Sequence, residues 1–239
     1  MSRPLAVAHR GDPYRHRENT LPSIASALAA GADAVEVDVR LTRDGVPVLL
    51  HDPTLERLWG DPREVRRLTL DRLADIGGPG QRVPTLAEAL KAVADLPGAR
   101  LLIDLDLPDP AAAVRRTVAD LGAERLVAYC GPATAMLAVR AEDPDAEISL
   151  TWRQPRLPAA PLLADLRPRY LNPPFGLAGP ALVGAAHDAG LLVAVWTVDR
   201  RRTMRRMIAA GADSLTTNRI DLLRRTVDAA AAARPAERV

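Results

Sequence analysis

The sequence is poor in cysteine, in aromatic residues and in long apolar runs, and each shortage excludes a class of protein. The single cysteine, Cys130, cannot form an intramolecular disulfide, so nothing in the chain requires an oxidising compartment. Aromatic residues make up only 3% of the chain, which removes the stacking surfaces that a single-stranded nucleic-acid binder uses. No segment approaches the ~20 apolar residues that span a bilayer. The sequence therefore predicts neither a disulfide-rich protein nor a membrane-spanning one.

A large excess of one charge is also missing. The 32 lysines and arginines nearly balance the 30 aspartates and glutamates, so the composition indicates no polyanionic partner and we expect no nucleic-acid binding. The first apolar run, Leu5–Ala8, is too short for the core of a signal peptide, and polar residues follow it at once. We therefore expect a cytoplasmic protein without a transmembrane segment. Its oligomeric state is left open by the composition.

Short β-branched runs alternate along the chain with longer Ala/Leu/Arg segments of helical period. A chain of 239 residues, 48% of them hydrophobic, can bury the core of one α/β domain. Because a helix follows most of the runs, we predict a parallel sheet covered by helices, and eight runs favour a closed (β/α)8 TIM barrel over an open sheet. The predicted strands are Leu5–Ala8, Ala34–Val39, Leu101–Asp104, Leu126–Tyr129, Glu147–Leu150, Tyr170–Asn172, Leu192–Trp196 and Ser214–Thr217.

One irregular stretch interrupts this alternation. An extra strand, Val46–Leu50, and a polar segment containing Gly77-Gly78-Pro79-Gly80 indicate a small insertion after the second strand. The barrel domain is assigned to residues 1–228, and the Ala-rich tail 229–239 is expected to fray. The predicted helices are Leu21–Ala30, Leu86–Asp95, Pro110–Leu121, Ala133–Ala141, Pro180–Ala189, Arg201–Ala210 and Asp221–Ala233.

Polar residues follow the first predicted strand. His9 stands where a barrel strand ends, from which its ring could exchange protons with a substrate, and the guanidinium of Arg10 offers a planar fork to phosphate oxygens. Gly11 would let the backbone turn sharply at this point. Taken alone, His9 also fits an ordinary surface histidine, and Asn19 or Thr20 also fits an N-cap of the next helix.

The second predicted strand carries two carboxylates on one face. Side chains alternate across a strand, so Glu36 and Asp38 point to one side while Val35, Val37 and Val39 point to the other. The valines would pack under helices, which leaves the carboxylates directed into the barrel mouth. Because burying two unpaired anions is unfavourable, a hard divalent cation with oxygen ligands is the usual partner; the alternative is a structural cluster paired with arginines.

A second histidine, His51, directly follows the apolar run Val48-Leu49-Leu50, which ends the extra strand. Two histidines beside a metal site suggest a general acid and a general base on opposite sides of a phosphorus centre. Each motif is common by itself, so the interpretation depends on their combination. Which histidine would act as the acid is not decided by the sequence.

In this order and at this spacing, the motifs resemble those of the glycerophosphodiester phosphodiesterase family. The resemblance runs the length of the chain and is most specific in its amino-terminal part. The segments that carry it are His9-Arg10-Gly11, Glu18-Asn19-Thr20, 36–45, His51-Asp52-Pro53-Thr54-Leu55, the Pro-Thr-Leu of 83–90, Trp196-Thr197-Val198-Asp199 and 211–218.

The resemblance implies a function and a role for each matching residue. The implied reaction is metal-dependent hydrolysis of a small-molecule glycerophosphodiester to an alcohol and glycerol phosphate. It implies that Glu36 and Asp38 bind one divalent cation, Mg²⁺ or Ca²⁺, and that His9 and His51 form the acid–base pair. Arg10 would lie near the phosphate, with Glu18 and Asn19 supporting the site. Trp196 would form a wall of the pocket, unless it only packs at the barrel rim.

The third predicted strand departs from the family pattern. Where the family has an apolar-Glu-apolar-Lys strand, this chain has Ile103-Asp104-Leu105-Asp106. Asp104 can still supply a carboxylate to the metal, but Asp106 places an anion where a cation is expected. Asp106 could recruit a second cation, pair with Arg10 or another arginine, hydrogen-bond a polar substrate group, or lean into solvent.

Two other functions stay open at this point. The same histidines and metal site would suit a phospholipase D-like or cyclising lyase reaction on a lysophospholipid. A non-catalytic barrel that binds a phosphorylated ligand is the alternative outside enzymes. Such a binder has no need of two titrating histidines, so the presence of both His9 and His51 favours an enzyme.

Overall fold

The computed structural model describes residues 3–77 and 81–232, and its centre is a closed barrel of eight parallel strands. Around the barrel the order is β1, β2, β6, β7, β8, β9, β10, β11, and pairing of β1 with both β2 and β11 closes it. The predicted (β/α)8 TIM barrel is therefore confirmed. The strands are β1 Leu5–His9, β2 Ala34–Leu41, β3 Pro47–Leu49, β4 Thr54–Leu55, β5 Asp61–Glu64, β6 Leu101–Asp104, β7 Val127–Gly131, β8 Ile148–Thr151, β9 Tyr170–Asn172, β10 Leu192–Val195 and β11 Ser214–Thr217.

Helices cover the outside of the barrel. Three helices have no counterpart in the sequence prediction: the short Glu56–Trp59 and Leu70–Ala74 in the insertion after β2, and Ala160–Leu166. Ala160–Leu166 is a helix in the proline-rich stretch between β8 and β9. Pro161 does not interrupt it because it lies in the first turn, where the missing N–H has no partner to lose. The helices are α1 Leu21–Ala29, α2 Glu56–Trp59, α3 Leu70–Ala74, α4 Leu86–Ala94, α5 Ala111–Asp120, α6 Ala133–Glu142, α7 Ala160–Leu166, α8 Pro180–Asp188, α9 Arg201–Ala209 and α10 Ile220–Ala232.

Strand β2 shows how the alternation of side chains builds both the core and the site. Val35, Val37 and Val39 are fully or almost fully buried in the main core, between the barrel and its helices. Full burial of a valine side chain stabilises the fold by about 1.5–3 kcal/mol. The intervening Glu36 and Asp38 lie on the other face, inside the barrel, as the sequence predicts.

The predicted insertion after β2 is a small layer with its own apolar cluster. Strand β3 runs antiparallel to β2, with Leu49 opposite Val39, and β4 and β5 form a two-stranded sheet. Buried residues that include Leu50, Leu55 and Leu73 form the second cluster. This packing fixes the loop between β3 and β4, which carries His51, beside the barrel mouth.

The last helix extends into the segment assigned to the tail. Residues 229–232 continue α10, whereas 233–239 lie outside the described residues, as do 78–80 of the glycine-rich segment. The division at residue 228 stays a prediction. In the part of the chain that the structure describes, no helix has the length and apolar character needed to cross a bilayer.

Candidate active site

The carboxyl ends of the barrel strands surround a cavity of about 270 Å³. Strand ends at this face of a TIM barrel carry the active sites of characterised enzymes with this fold. Glu18 and Asn19 lie behind the lining and contact it through hydrogen bonds. The predicted site residues that line the cavity are His9, Arg10, Glu36, Asp38, His51, Asp104 and Trp196.

Three carboxyl groups converge in this cavity. Glu36 and Asp38 lie on the same face of β2. On the neighbouring strand β6, Asp104 is the register partner of Asp38. One ligand oxygen from each lies within 4.8 Å of the others. Among the described residues, Glu36 Oε1 and Asp104 Oδ1 are buried and accept no hydrogen bond. A divalent cation would supply the missing partner, and an all-oxygen ligand set fits a hard cation such as Mg²⁺ or Ca²⁺.

The electrostatics of the three carboxyl groups agree with this interpretation. Burial, the charge of Asp38 and the charge of Asp104 raise the pKa of Glu36 well above its ordinary value. Burial and the nearby Asp38 and Asp106 raise the pKa of Asp104 to about 8. Without a cation, Glu36 and Asp104 would therefore keep their protons at neutral pH, where carboxyl groups in water are ionised.

Asp38 is held on two sides. Asn19 Nδ2 donates to Asp38 Oδ2 over 2.7 Å, the Asp38 amide donates to Asn19 Oδ1 over 3.2 Å, and Arg10 Nε lies 3.1 Å from Asp38 Oδ2. Arg10 and Asn19 both adopt left-handed backbone conformations, with φ of 59° and 55°, which non-glycine residues rarely do. Thr20, rather than Asn19, caps α1. Such strain is typical of residues whose positions a functional site dictates.

The two histidines have different partners. His9 Nδ1 lies 2.7 Å from Asn218 Oδ1, and Asn218 is oriented by hydrogen bonds from its amide groups to Asp199. Since Asn218 Oδ1 only accepts, His9 Nδ1 carries the hydrogen and Nε2, which lies 3.9 Å from Glu36 Oε2, is free to accept a proton. Burial and the charge of Arg10 lower the pKa of His9, which favours its neutral form.

His51 belongs to a chain of charged groups that runs back to Arg10. His51 Nδ1 donates to Asp52 Oδ1 over 2.6 Å, and Arg57 Nε donates to Asp52 Oδ2 over 2.6 Å. Arg57 also donates two hydrogen bonds to Glu18, which accepts a third from Arg10. The hydrogen bond from Arg57, followed by that from His51, lowers the pKa of Asp52 to about 2. Asp52 is therefore a permanent negative charge beside the ring of His51.

The comparisons with known proteins agree with this geometry. Residues 9–222 match the model of the glycerophosphoryl diester phosphodiesterase family. The chain belongs to this family. It is 31% identical over 254 residues to "Probable glycerophosphodiester phosphodiesterase 2" of Mycobacterium tuberculosis, with 92% of this chain and 89% of that protein covered.

Two further comparisons agree, one with the sequence and one with the fold. The glycerophosphodiester phosphodiesterase of Caldanaerobacter subterraneus subsp. tengcongensis is 27% identical over 230 residues, covering 90% of this chain and 93% of that protein. An Oleispira antarctica phosphodiesterase, solved in complex with the product sn-glycerol-3-phosphate, has a TM-score of 0.86 at 22% identity, covering 95% of this chain and 97% of that one. At that identity the second comparison shows a shared fold.

The structure of this phosphodiesterase shows the surroundings of Asp106, the residue that departs from the family pattern. Strand β6 ends at Asp104, so Asp106 lies beyond the strand end with its side chain 61% exposed. Arg40 Nη2 lies 3.7 Å from Asp106 Oδ2, and Arg40 Nε donates to the carbonyl oxygen of His51. Of the outcomes considered for Asp106, the geometry shows two together: the side chain leans into solvent beyond the strand end, and it pairs with an arginine other than Arg10.

Several members of the phosphodiesterase site were not identified from the sequence. Asp52 and Asn218 stand inside the motifs quoted above, and an aspartate next to a histidine is a signal that could have identified the first. Arg57 and Arg153 carry no local signal because arginines are abundant throughout the chain. Only the folded chain shows that these two contact site residues.

Arg57 is expected to act as a positioning residue. Replacing Arg57 by Gln removes the link between Asp52 and Glu18, and we expect kcat to fall by about 10–100-fold, the range seen when groups that orient site residues are lost. KM should change little, since Arg57 does not line the cavity. Steady-state kinetics checks this, with Arg57→Lys expected to restore part of kcat.

The matched control for this variant is Arg63→Gln. Arg63 lies in the same insertion and pairs with Asp61 at the surface. Because exposed ion pairs contribute about 0–1 kcal/mol, neither variant should change the melting temperature by more than a few degrees. Equal kcat values for Arg57→Gln and Arg63→Gln would refute the positioning role.

Proposed function

We propose that the protein hydrolyses glycerophosphodiesters to an alcohol and a glycerol phosphate, with one divalent cation bound by Glu36, Asp38 and Asp104. The observation that carries the proposal is the placement of two histidines with different hydrogen-bond partners around one cavity that also holds the three carboxyl groups. The names of the relatives and the glycerol phosphate bound to the Oleispira antarctica phosphodiesterase support the choice of substrate.

The cation site is proposed to hold Mg²⁺ or Ca²⁺. Such a cation, when bound, neutralises phosphate charge and lowers the pKa of a hydroxyl group beside it. Among the described residues only Glu36, Asp38 and Asp104 form a group of this kind, and Asp106 pairs with Arg40 instead of joining them. This arrangement favours one cation over two.

The hydrogen-bond partners support different roles for the histidines. His9 has an unprotonated Nε2 and a lowered pKa, which suit a general base that takes the proton of the attacking hydroxyl group. His51 has Asp52 as an anionic partner on Nδ1, which suits a general acid that donates the hydrogen of Nε2 to the leaving oxygen. One P–O bond forms and one breaks, and the two protons are exchanged between the rings and the reacting oxygens.

Two attacking groups fit this arrangement. Water can attack the phosphorus directly, or a neighbouring hydroxyl group of the glycerol can attack first and form a cyclic phosphate, which is the product that a cyclising lyase would release. A phospholipase D-like reaction would instead act on a lysophospholipid. The reaction products distinguish these cases.

The test is a turnover assay on purified protein followed by ³¹P NMR. Glycerophosphocholine, glycerophosphoethanolamine and lysophosphatidylcholine are incubated with Mg²⁺, Ca²⁺ or Mn²⁺, and with EDTA. We expect glycerol phosphate and the free alcohol from the glycerophosphodiesters, with at least one of the cations. Accumulation of a cyclic phosphate would identify intramolecular attack, and absence of turnover with every substrate and cation would refute the proposed function.

A further inference from the structure

The arginines of the active-site cavity differ in how their charge is balanced. Arg10 lies between Glu18 and Asp38, 2.9 Å and 3.1 Å away. At the neighbouring edge Arg40 pairs with Asp106. Arg153 also lines the cavity, and within residues 3–77 and 81–232 no carboxylate lies within the 4.0 Å that defines an ion pair. Of these three arginines, Arg153 is therefore the one whose positive charge is not balanced by a carboxylate of the described residues.

The position of Arg153 keeps its hydrogen-bond donors available. Arg153 follows β8 and is exposed, and its guanidinium carbon lies 4.8 Å from the centre of the Trp196 ring. The ring is held in turn, because Trp196 Nε1 donates to the carbonyl oxygen of Asn172 over 3.0 Å. A guanidinium that stacks on an aromatic ring uses its face, and its N–H groups still point outward along its edges.

A cavity that receives a phosphodiester needs such a cation. Four carboxyl groups line it, namely Glu36, Asp38, Asp104 and Asp106, and the one divalent cation proposed above would balance only part of their negative charge, which opposes binding of an anionic substrate. Arg10 is already shared between two carboxylates, so a further charge-assisted hydrogen bond from Arg10 would compete with those contacts. The planar fork of Arg153 faces no such competition, and its geometry matches two oxygens of one phosphate group.

We propose that Arg153 is a substrate-binding residue that donates hydrogen bonds to the phosphate group, with Trp196 as the platform that holds its guanidinium. The proposal rests on the phosphodiester substrate proposed above. The bond is made to a phosphate charge present in the substrate and in the transition state alike, so Arg153 contributes to binding of both. It therefore lowers KM and has little effect on kcat.

The experiment compares Arg153→Gln, Arg153→Lys and the control Arg156→Gln. Arg156 lies in the same loop and is exposed, but it does not line the cavity. With glycerophosphocholine we expect Arg153→Gln to raise KM by about 10–100-fold, as befits loss of charge-assisted hydrogen bonds, with kcat within about threefold of wild type. Lysine keeps the charge without the fork, so Arg153→Lys should fall between the two, and Arg156→Gln should match wild type.

Binding measurements keep this test separate from the test of the proposed function. Calorimetric titration with inorganic phosphate and with glycerol 3-phosphate needs no turnover, and we expect Arg153→Gln to weaken both by a factor similar to the change in KM. If wild type hydrolyses no glycerophosphodiester but binds these anions through Arg153, the proposed function fails and the role of Arg153 stands. If Arg153→Gln and Arg156→Gln bind them as wild type does, or if wild type binds neither anion, the Arg153 proposal is refuted.

A second charge change provides an independent check. Asp106→Lys removes a negative charge from the same cavity wall and adds a positive one, so in the Arg153→Gln background it should restore at least part of the lost phosphate affinity. Stacking alone would not produce such rescue, since position 106 does not contact Trp196 through any described interaction.

Discussion

Replacing either His9 or His51 by alanine is expected to lower kcat on glycerophosphocholine by on the order of 10²–10⁴-fold, the contribution typical of general acid–base catalysis. The wild-type rate should follow a bell-shaped dependence on pH, because one ring must be neutral and the other protonated. Each alanine variant should lose one limb of the bell. Initial rates measured across pH, with the cation saturating, check both expectations.

The leaving group separates the two roles. A nitrophenolate leaves without needing a proton. His51→Ala should therefore lose much less of the wild-type rate on a nitrophenyl phosphodiester than on glycerophosphocholine. His9→Ala should be equally impaired on both substrates, since a base is needed in each case. The matched control is His187→Ala, because His187 contacts Asp213 away from the cavity. The reverse pattern would exchange the two assignments, and a His51→Ala rate within a few-fold of wild type on both substrates would make His51 structural.

Glu36→Gln is expected to abolish cation-dependent turnover and, at the same time, to stabilise the cation-free protein. Gln keeps the shape of Glu36 without a titrating group, so the cluster loses a cation ligand and also loses the free-energy cost of either burying a charged carboxylate or protonating it. Excess EDTA should abolish turnover of the wild type, and a divalent cation should restore it. Thermal unfolding with and without Mg²⁺ or Ca²⁺ should show a cation-induced rise in melting temperature for wild type that Glu36→Gln lacks.

The stability of the cation-free protein should also depend on pH. The folded-state pKa of Asp104, about 8, lies above its unfolded value of ~3.9, so the folded chain binds more protons in this window. The contribution of Asp104 to stability is therefore greatest below its unfolded pKa and is lost as the pH rises from about 4 to about 8. A bound cation favours the ionised form and should remove this loss. Full activity in excess EDTA, together with pH-independent stability, would contradict the assignment of the cation site.

The sequence by itself determined those features that depend on local periodicity. Alternation along β2 put Glu36 and Asp38 on one face and the valines on the other, and the structure agrees because a buried strand leaves each side chain only two directions. The order of strands and helices likewise predicted the barrel. The helix α7 was not predicted because proline is compatible both with a loop and with a first helical turn, and only packing against the barrel distinguishes them.

The tertiary structure alone decided which side chains meet across the barrel. His9 contacts Asn218, 209 positions away, and Arg57 contacts Glu18, 39 positions away, so neither contact has a local pattern. The sequence showed that Asp106 stands where the family has a lysine. It did not show that Asp106 pairs with Arg40 or that the charge of Arg153 is unbalanced. The physical reason is that a closed barrel brings eight strand ends to one rim, where distance and burial, rather than separation along the chain, set the strength of each electrostatic interaction.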